Sequence, residues 1–162
     1  MSRLPRLEVA GFPHLVVQSL AAGQALYRDA QDLAVLHATM REAAQEAEVA
    51  VHAYVLLPQH FHVLLTPGMP GGLGRFMQAI GRRYVPAYNR RHGRQGSLWA
   101  GRFRATVLDP AQYLLDAMVF IESHPWRAGL TASVYDELAE QASSLGYHLG
   151  RRTDPLIEDH RL

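Results

Sequence analysis

Apolar, β-branched runs bounded by glycine and proline predict four strands: Phe12 to Leu20, Val49 to Leu57, His60 to Thr66 and Phe103 to Leu108. Between them, apolar residues recur at helical spacing. Leu33, Leu36, His37, Met40 and Ala44 predict a helix over Asp29 to Ala47. Phe76, Ile80, Tyr84 and Tyr88 repeat every four residues and predict a long helix from Leu73 to Arg91, with a kink at Pro86. Pro58-Gln59 is short enough to join the second and third strands as a hairpin. Asp109-Pro110 is a helix start, because aspartate caps the first turn and proline fits its first position. That helix should run to about Ser123 and end at His124-Pro125, where the residue before proline resists helical geometry. A short helix from Ser133 to Gln141 and a polar tail follow.

The resulting order, β-α-β-β-α-β-α, predicts an α+β fold: a ferredoxin-like, split-βαβ antiparallel sheet with helices packed on it. At 162 residues and 48% hydrophobic content, the chain is expected to form one domain over residues 1–162, with 142–162 as a polar C-terminal tail. No apolar run approaches membrane-spanning length and the first residues lack an apolar signal core, so a cytoplasmic protein without a membrane partner is expected. There is no cysteine, so a metal would rest on histidine, carboxylate or amide ligands.

The net charge of +1 conceals an asymmetry. All 16 basic residues are arginine, and no acid occurs between Glu48 and Asp109. That stretch holds Arg75, Arg82, Arg83, Arg90, Arg91, Arg94, Arg102 and Arg104. A cationic segment without carboxylates repels itself unless it faces an anion, of which nucleic-acid phosphate is the commonest. A solvated cationic face is the plainer alternative.

Candidate chemistry centres on His60-Phe61-His62. Strand side chains alternate faces, so both histidines point one way, roughly 7 Å apart, and two such imidazoles can share a divalent metal. Phe120 and His124, four residues apart, share a helix face. If that face lies over the strand, His124 becomes a third ligand and Phe120 stands beside the metal.

At this point the chain resembles the REP-associated tyrosine transposases, a branch of the single-tyrosine HUH transposases. The resemblance spans most of the chain: Met1-Ser-Arg-Leu-Pro-Arg, Tyr54-Val-Leu-Leu-Pro-Gln-His-Phe-His62, and Arg83-Tyr84 through Asn89-Arg-Arg-His-Gly-Arg94. Gly96-Ser-Leu-Trp-Ala-Gly-Arg-Phe103, Phe120-Ile-Glu-Ser-His-Pro-Trp-Arg-Ala-Gly129 and Asp154-Pro-Leu-Ile complete it. It implies the HUH endonuclease fold and a metal-dependent endonuclease and strand transferase that acts on single-stranded DNA next to hairpins of the REP type. His60 and His62 would then hold Mg²⁺ or Mn²⁺, with His124 completing the set. A tyrosine would form a 5′-phosphotyrosine intermediate, and the protein would act as a monomer or homodimer.

The chain departs from that pattern at Phe120, which occupies the position of the nucleophilic tyrosine and lacks its hydroxyl. It is therefore expected to bind DNA without cutting it. Three readings stay open: an engineered Tyr→Phe replacement, a natural, domesticated hairpin-DNA-binding derivative that lost cleavage, or service by another tyrosine. Tyr113, about 10 Å further along the helix, is too distant and is expected in the core. A water-using metallophosphoesterase is a remote alternative. The DNA contacts are expected from Arg82, Arg83, Arg90, Arg91, Arg94, Arg102, Arg104 and Trp99. Tyr88 could stack on bases or belong to the core, Arg127 could be structural or bind phosphate, and Glu122 could support a ligand histidine or be solvated. His52 is expected to be a packed or exposed strand residue, and His14, His37, His92, His148 and His160 have no spacing that argues for metal.

Overall fold

The structure, a computed structural model, describes residues 5–129 and 142–161. The helix expected over Ser133 to Gln141 lies outside the described residues. The elements run β1 (His14–Ser19), α1 (Ala30–Ala47), β2 (Val49–Leu56), β3 (His60–Pro67), α2 (Gly72–His92), β4 (Arg104–Val107), α3 (Pro110–Glu122), α4 (His124–Arg127) and α5 (Leu145–His148). The four strands form one antiparallel sheet in the order β2-β3-β1-β4, which is the expected split-βαβ arrangement.

Local signals set these boundaries. The Asp29 carboxylate caps α1 by accepting from the Asp32 amide at 2.9 Å, and Asp109 caps α3 by accepting from Ala111 at 3.0 Å. The Pro58-Gln59 turn closes with Leu57 N–H donating to the His60 carbonyl at 3.0 Å. The α2 helix continues through Pro86 to His92.

The sheet has two differently dressed faces. On one, Phe61, Val63 and Leu65 of β3 pack with Tyr54 and Leu56 of β2 against α1 and α2, where Leu36, Met40, Phe76 and Ile80 are fully buried. On the other, Leu114, Ala117 and Ile121 of α3 cover Ala53, Val55, Leu57 and Leu64. Each such large aliphatic side chain contributes about 2 kcal/mol by leaving water, and together they fix α3 over the face to which His60 and His62 point. A register shift between Val51 and Ala53 reverses strand parity in β2, so Val51 and Tyr54 both reach the α1/α2 core. Tyr113 is not a core residue: it is 52% exposed, because α3 buries the 114/117/121 stripe. Tyr88 is core, 2% exposed, and its hydroxyl accepts from Arg28 at 3.0 Å.

The C-terminal segment is docked. Leu56 N–H donates to the Ala142 carbonyl (2.7 Å), Ser144 N–H to Tyr54 (3.0 Å) and Glu158 N–H to Val51 (2.8 Å), which lines the outer edge of β2. Asp154, 4% exposed, receives the Tyr54 hydroxyl at 2.6 Å and His37 Nε2 at 2.7 Å. Burial works against its charge, but the hydrogen bonds from His37 and Tyr54 outweigh that and hold the carboxyl below its ordinary pKa. Removing one partner of a buried charge pair typically costs several kcal/mol. Asp154→Ala is therefore expected to lower the stability of the chain by about 3 kcal/mol, measured by chemical denaturation; an unchanged midpoint would refute the docked tail.

Candidate metal centre

The two histidines of β3 and His124, the first residue of α4, meet on the α3 face of the sheet. Ring centroids lie 5.0 Å apart for His60 and His62, 5.1 Å for His60 and His124, and 4.9 Å for His62 and His124. Among the described residues, this is the group of potential metal ligands whose donor atoms converge, all within 4.8 Å of one another. His60 Nε2 and His124 Nε2 are 3.3 Å apart, so without a cation one nitrogen carries the proton it shares with the other.

His62 is the tightest constraint. It is 7% exposed, and neither ring nitrogen has a hydrogen-bond partner. Burial, then the neighbouring His124, His60 and Arg127, push its pKa down to about 4. Burial also lowers those of His60 and His124, the latter with help from Arg127 and His60. All three are thus neutral imidazoles near pH 7, the form that binds metal. Orphaned buried nitrogens and an all-nitrogen donor set fit a divalent ion, with open positions left for other ligands.

Phe120 stands beside this centre, its ring 5.8 Å from His62 and 5.6 Å from His124, each edge-on. The residue is 40% exposed. Pro125 has no amide hydrogen, so the helix stops and restarts as α4, and Arg127 folds back over the break. Its guanidinium donates to the Phe120 carbonyl and sits 4.3 Å above the Phe120 ring, while Nε donates to Ser123 Oγ at 3.0 Å. The sequence could assign Arg127 either role; the structure places it at the centre.

Glu122 is neither a partner of a ligand histidine nor solvated. It is buried and accepts from Ser144 Oγ at 2.6 Å and from His148 Nδ1, which ties the C-terminal segment to the end of α3. That hydrogen bond raises the His148 pKa. His52 lies away from the three histidines, packed between the Glu158 carbonyl (2.6 Å) and Thr66 Oγ1 (2.7 Å).

The arginine run is not acid-free in space. Arg91 pairs with Asp29 (2.7 Å) and Asp32 (2.6 Å) of α1, and Arg83 with Glu42 and Glu46. Arg94 is occupied by Gln24, Asn89 and loop carbonyls. These three residues therefore stand differently from the free cations expected. Among the described residues, the side chains of Arg82, Arg90, Arg102 and Arg104 have no hydrogen-bond or ion-pair partner, and all are exposed. Trp99 packs against Phe61 with centroids 5.9 Å apart. No helix among the described residues is long and apolar enough to cross a membrane.

No protein-family model matches the chain, and no curated protein matches it significantly. Among solved structures, it is similar to a REP-associated tyrosine transposase bound to a REP hairpin. The TM-score is 0.70 and the identity 16%, over 100% of this chain and 99% of that one. A candidate transposase from Deinococcus radiodurans matches at a TM-score of 0.48 and 20% identity, over 71% of this chain and 93% of that one. The chain has the α+β fold of the first of these.

Two outcomes are expected. His62→Leu removes two unbonded buried nitrogens and should stabilise the metal-free chain by about 1 kcal/mol, while abolishing the rise in melting temperature on adding Mn²⁺; a retained Mn²⁺ shift would contradict the site. Because the His148 pKa is raised in the folded chain, its stabilisation is complete below the ordinary histidine value of about 6.5 and is lost as pH rises through the folded value. The melting-temperature gap between the unsubstituted chain and His148→Gln should therefore be widest at acid pH and narrow above neutrality; a gap independent of pH would argue against the Glu122 pair.

Proposed function

We propose that this chain carries the centre of a metal-dependent single-stranded DNA endonuclease and strand transferase, acting beside DNA hairpins, and that with Phe120 it binds such DNA without cutting it. The observation that carries this reading is the meeting of three neutral imidazoles with an aromatic ring whose residue lacks only a hydroxyl. His60, His62 and His124 would hold the ion, and their nitrogen donors suit Mn²⁺ better than Mg²⁺, which prefers oxygen. A bound divalent ion would polarise a scissile phosphate.

The chain's own residues supply the rest. A tyrosine at residue 120 would place its phenol oxygen beside the centre. That oxygen would give up its proton and attack phosphorus, the bond from phosphorus to the 3′ oxygen would break, and the 3′ oxygen would take up a proton; the 5′ phosphate would stay on the tyrosine. The bond energy is kept for later rejoining. Arg127, which already clasps residue 120, fixes the ring and adds positive charge where the phosphate arrives. Arg82, Arg90, Arg102 and Arg104, which have no side-chain partner among the described residues, supply the phosphate contacts.

Phe120 itself favours a second reading, a hairpin-DNA-binding protein without cleavage. One substitution separates the two. Phe120→Tyr should form a covalent adduct with single-stranded DNA flanking a hairpin, dependent on Mn²⁺ and abolished by adding His60→Ala. Absence of any adduct with every divalent ion tested, alongside retained binding, would leave the binding protein.

A further inference from the structure

The strip of sheet between the histidine centre and the β4 edge is open, and it continues onto the opposite face. Directly paired residues in antiparallel strands share a face. His62 pairs with Val17 of β1, and Val17 pairs with Arg104 of β4; His60 likewise pairs with Ser19. Arg104 therefore stands in line with the histidines, two strand spacings or roughly 10 Å away. The apolar side of α3 covers β2 and β3 there, so Ser19 and Arg104 remain exposed.

From this strip three depressions run in sequence. One of about 310 Å³ lies between β1 and β4, lined by Val17, Ser19 and Arg104. A second of about 510 Å³ rounds the β4 edge past Phe103. The third, a groove of about 900 Å³, lies on the far face against α2 and holds Arg75, Gln78, Arg82 and Trp99. Gly101 and Arg102 line all three, so the depressions form one path over a shared crest. At that crest Gly101 has φ +150°, a conformation that other residues rarely adopt, and its carbonyl accepts from Gln18 at 3.0 Å.

The chemistry of the path is uniform. Arg6, Arg75, Arg82, Arg102 and Arg104 line it, and among the described residues no carboxylate does. Two aromatic residues stand along it: Phe103, with the Arg6 guanidinium 3.5 Å over its ring, and Trp99, whose indole lies against Gly81 so closely that a Cβ there would sit 3.3 Å from Nε1. Arginines beside aromatic rings are what a run of unpaired nucleotides requires, phosphates on the cations and a base on a ring. A duplex is poorly suited to this path, since a persistence length of about 50 nm makes turning around a sheet edge costly. A single strand can follow it.

We infer that the single strand leaving the histidine centre crosses β1 and β4, turns over Gly101 and Arg102, and lodges an unpaired base against Trp99 on the opposite face of the sheet. This rests on the DNA reading of the site and adds to it the route of the strand and a base-stacking pocket away from the histidines.

The test uses the full chain with Trp126→Phe, which leaves Trp99 as its single tryptophan. Oligothymidylate of about 16 nucleotides should quench Trp99 emission, and a blunt hairpin without a single-stranded extension should not. Arg82→Ala with Arg102→Ala, both on the exposed surface, should weaken oligothymidylate binding roughly 10-fold or more. The pair should also flatten its salt dependence by about 1.4 log units per log salt, 0.7 for each phosphate left without its arginine. Salt-sensitive binding with unchanged Trp99 emission and unchanged affinity in the double variant would overturn the route and leave the proposed function standing. No binding of single-stranded DNA by the unsubstituted chain would overturn both.

Discussion

An imidazole buried with neither nitrogen bonded costs about 1–3 kcal/mol for each unsatisfied group, and His62 is held in that state by everything around it. Its backbone is fixed in the centre of the sheet by β1 on one side and β2 on the other. Its face is roofed by α3, whose Leu114, Ala117 and Ile121 cannot leave without exposing the second core. A leucine at this position would satisfy both the strand and the roof. The polar ring is therefore a local conflict with stability, of the kind that concentrates at functional sites, and the proposed cation would give His62 the partner it lacks.

The third histidine is positioned by a different device. His124 lies beyond the end of α3, where Pro125 prevents continuous helix, so ladder hydrogen bonds alone do not hold it. Two side-chain clasps compensate. Arg127 reaches back to the Phe120 carbonyl, and Glu122 binds Ser144 and His148 of the C-terminal segment. The residues that would meet the metal thus depend on chain twenty and more positions downstream, which gives the tail a share in the geometry of a site it does not touch.

Much of this is legible in the sequence because it rests on short-range periodicity. The two-residue repeat of His60 and His62, the four-residue spacing of Phe120 and His124, and the Asp109-Pro110 start of α3 all carry their geometry in adjacent positions. What the sequence hides has long-range causes. Asp29 and Asp32 meet Arg91 across some sixty residues, so an apparently uncompensated cationic run is in part neutralised by α1. The polar composition of residues 142–161 conceals buried Asp154, Ser143 and Leu156, because hydrogen-bonded polar side chains read as solvated ones. Glu122 is obscured for the same reason, and Tyr113 because apolar character alone does not say which stripe of a helix faces inward.

The docking of residues 142–158 along β2 has a further consequence for how copies of this chain meet. A sheet with an unpaired eight-residue edge invites another molecule to add its own strand. Here that edge is occupied at Val51, Tyr54 and Leu56 by the chain's own backbone. The remaining margin, β4, is four residues long and presents Arg104 with Arg102 just before it. Two such margins brought together would set like charges face to face. The sheet is thus protected against propagating from one molecule to the next, and its short cationic rim is left to ligands of opposite sign.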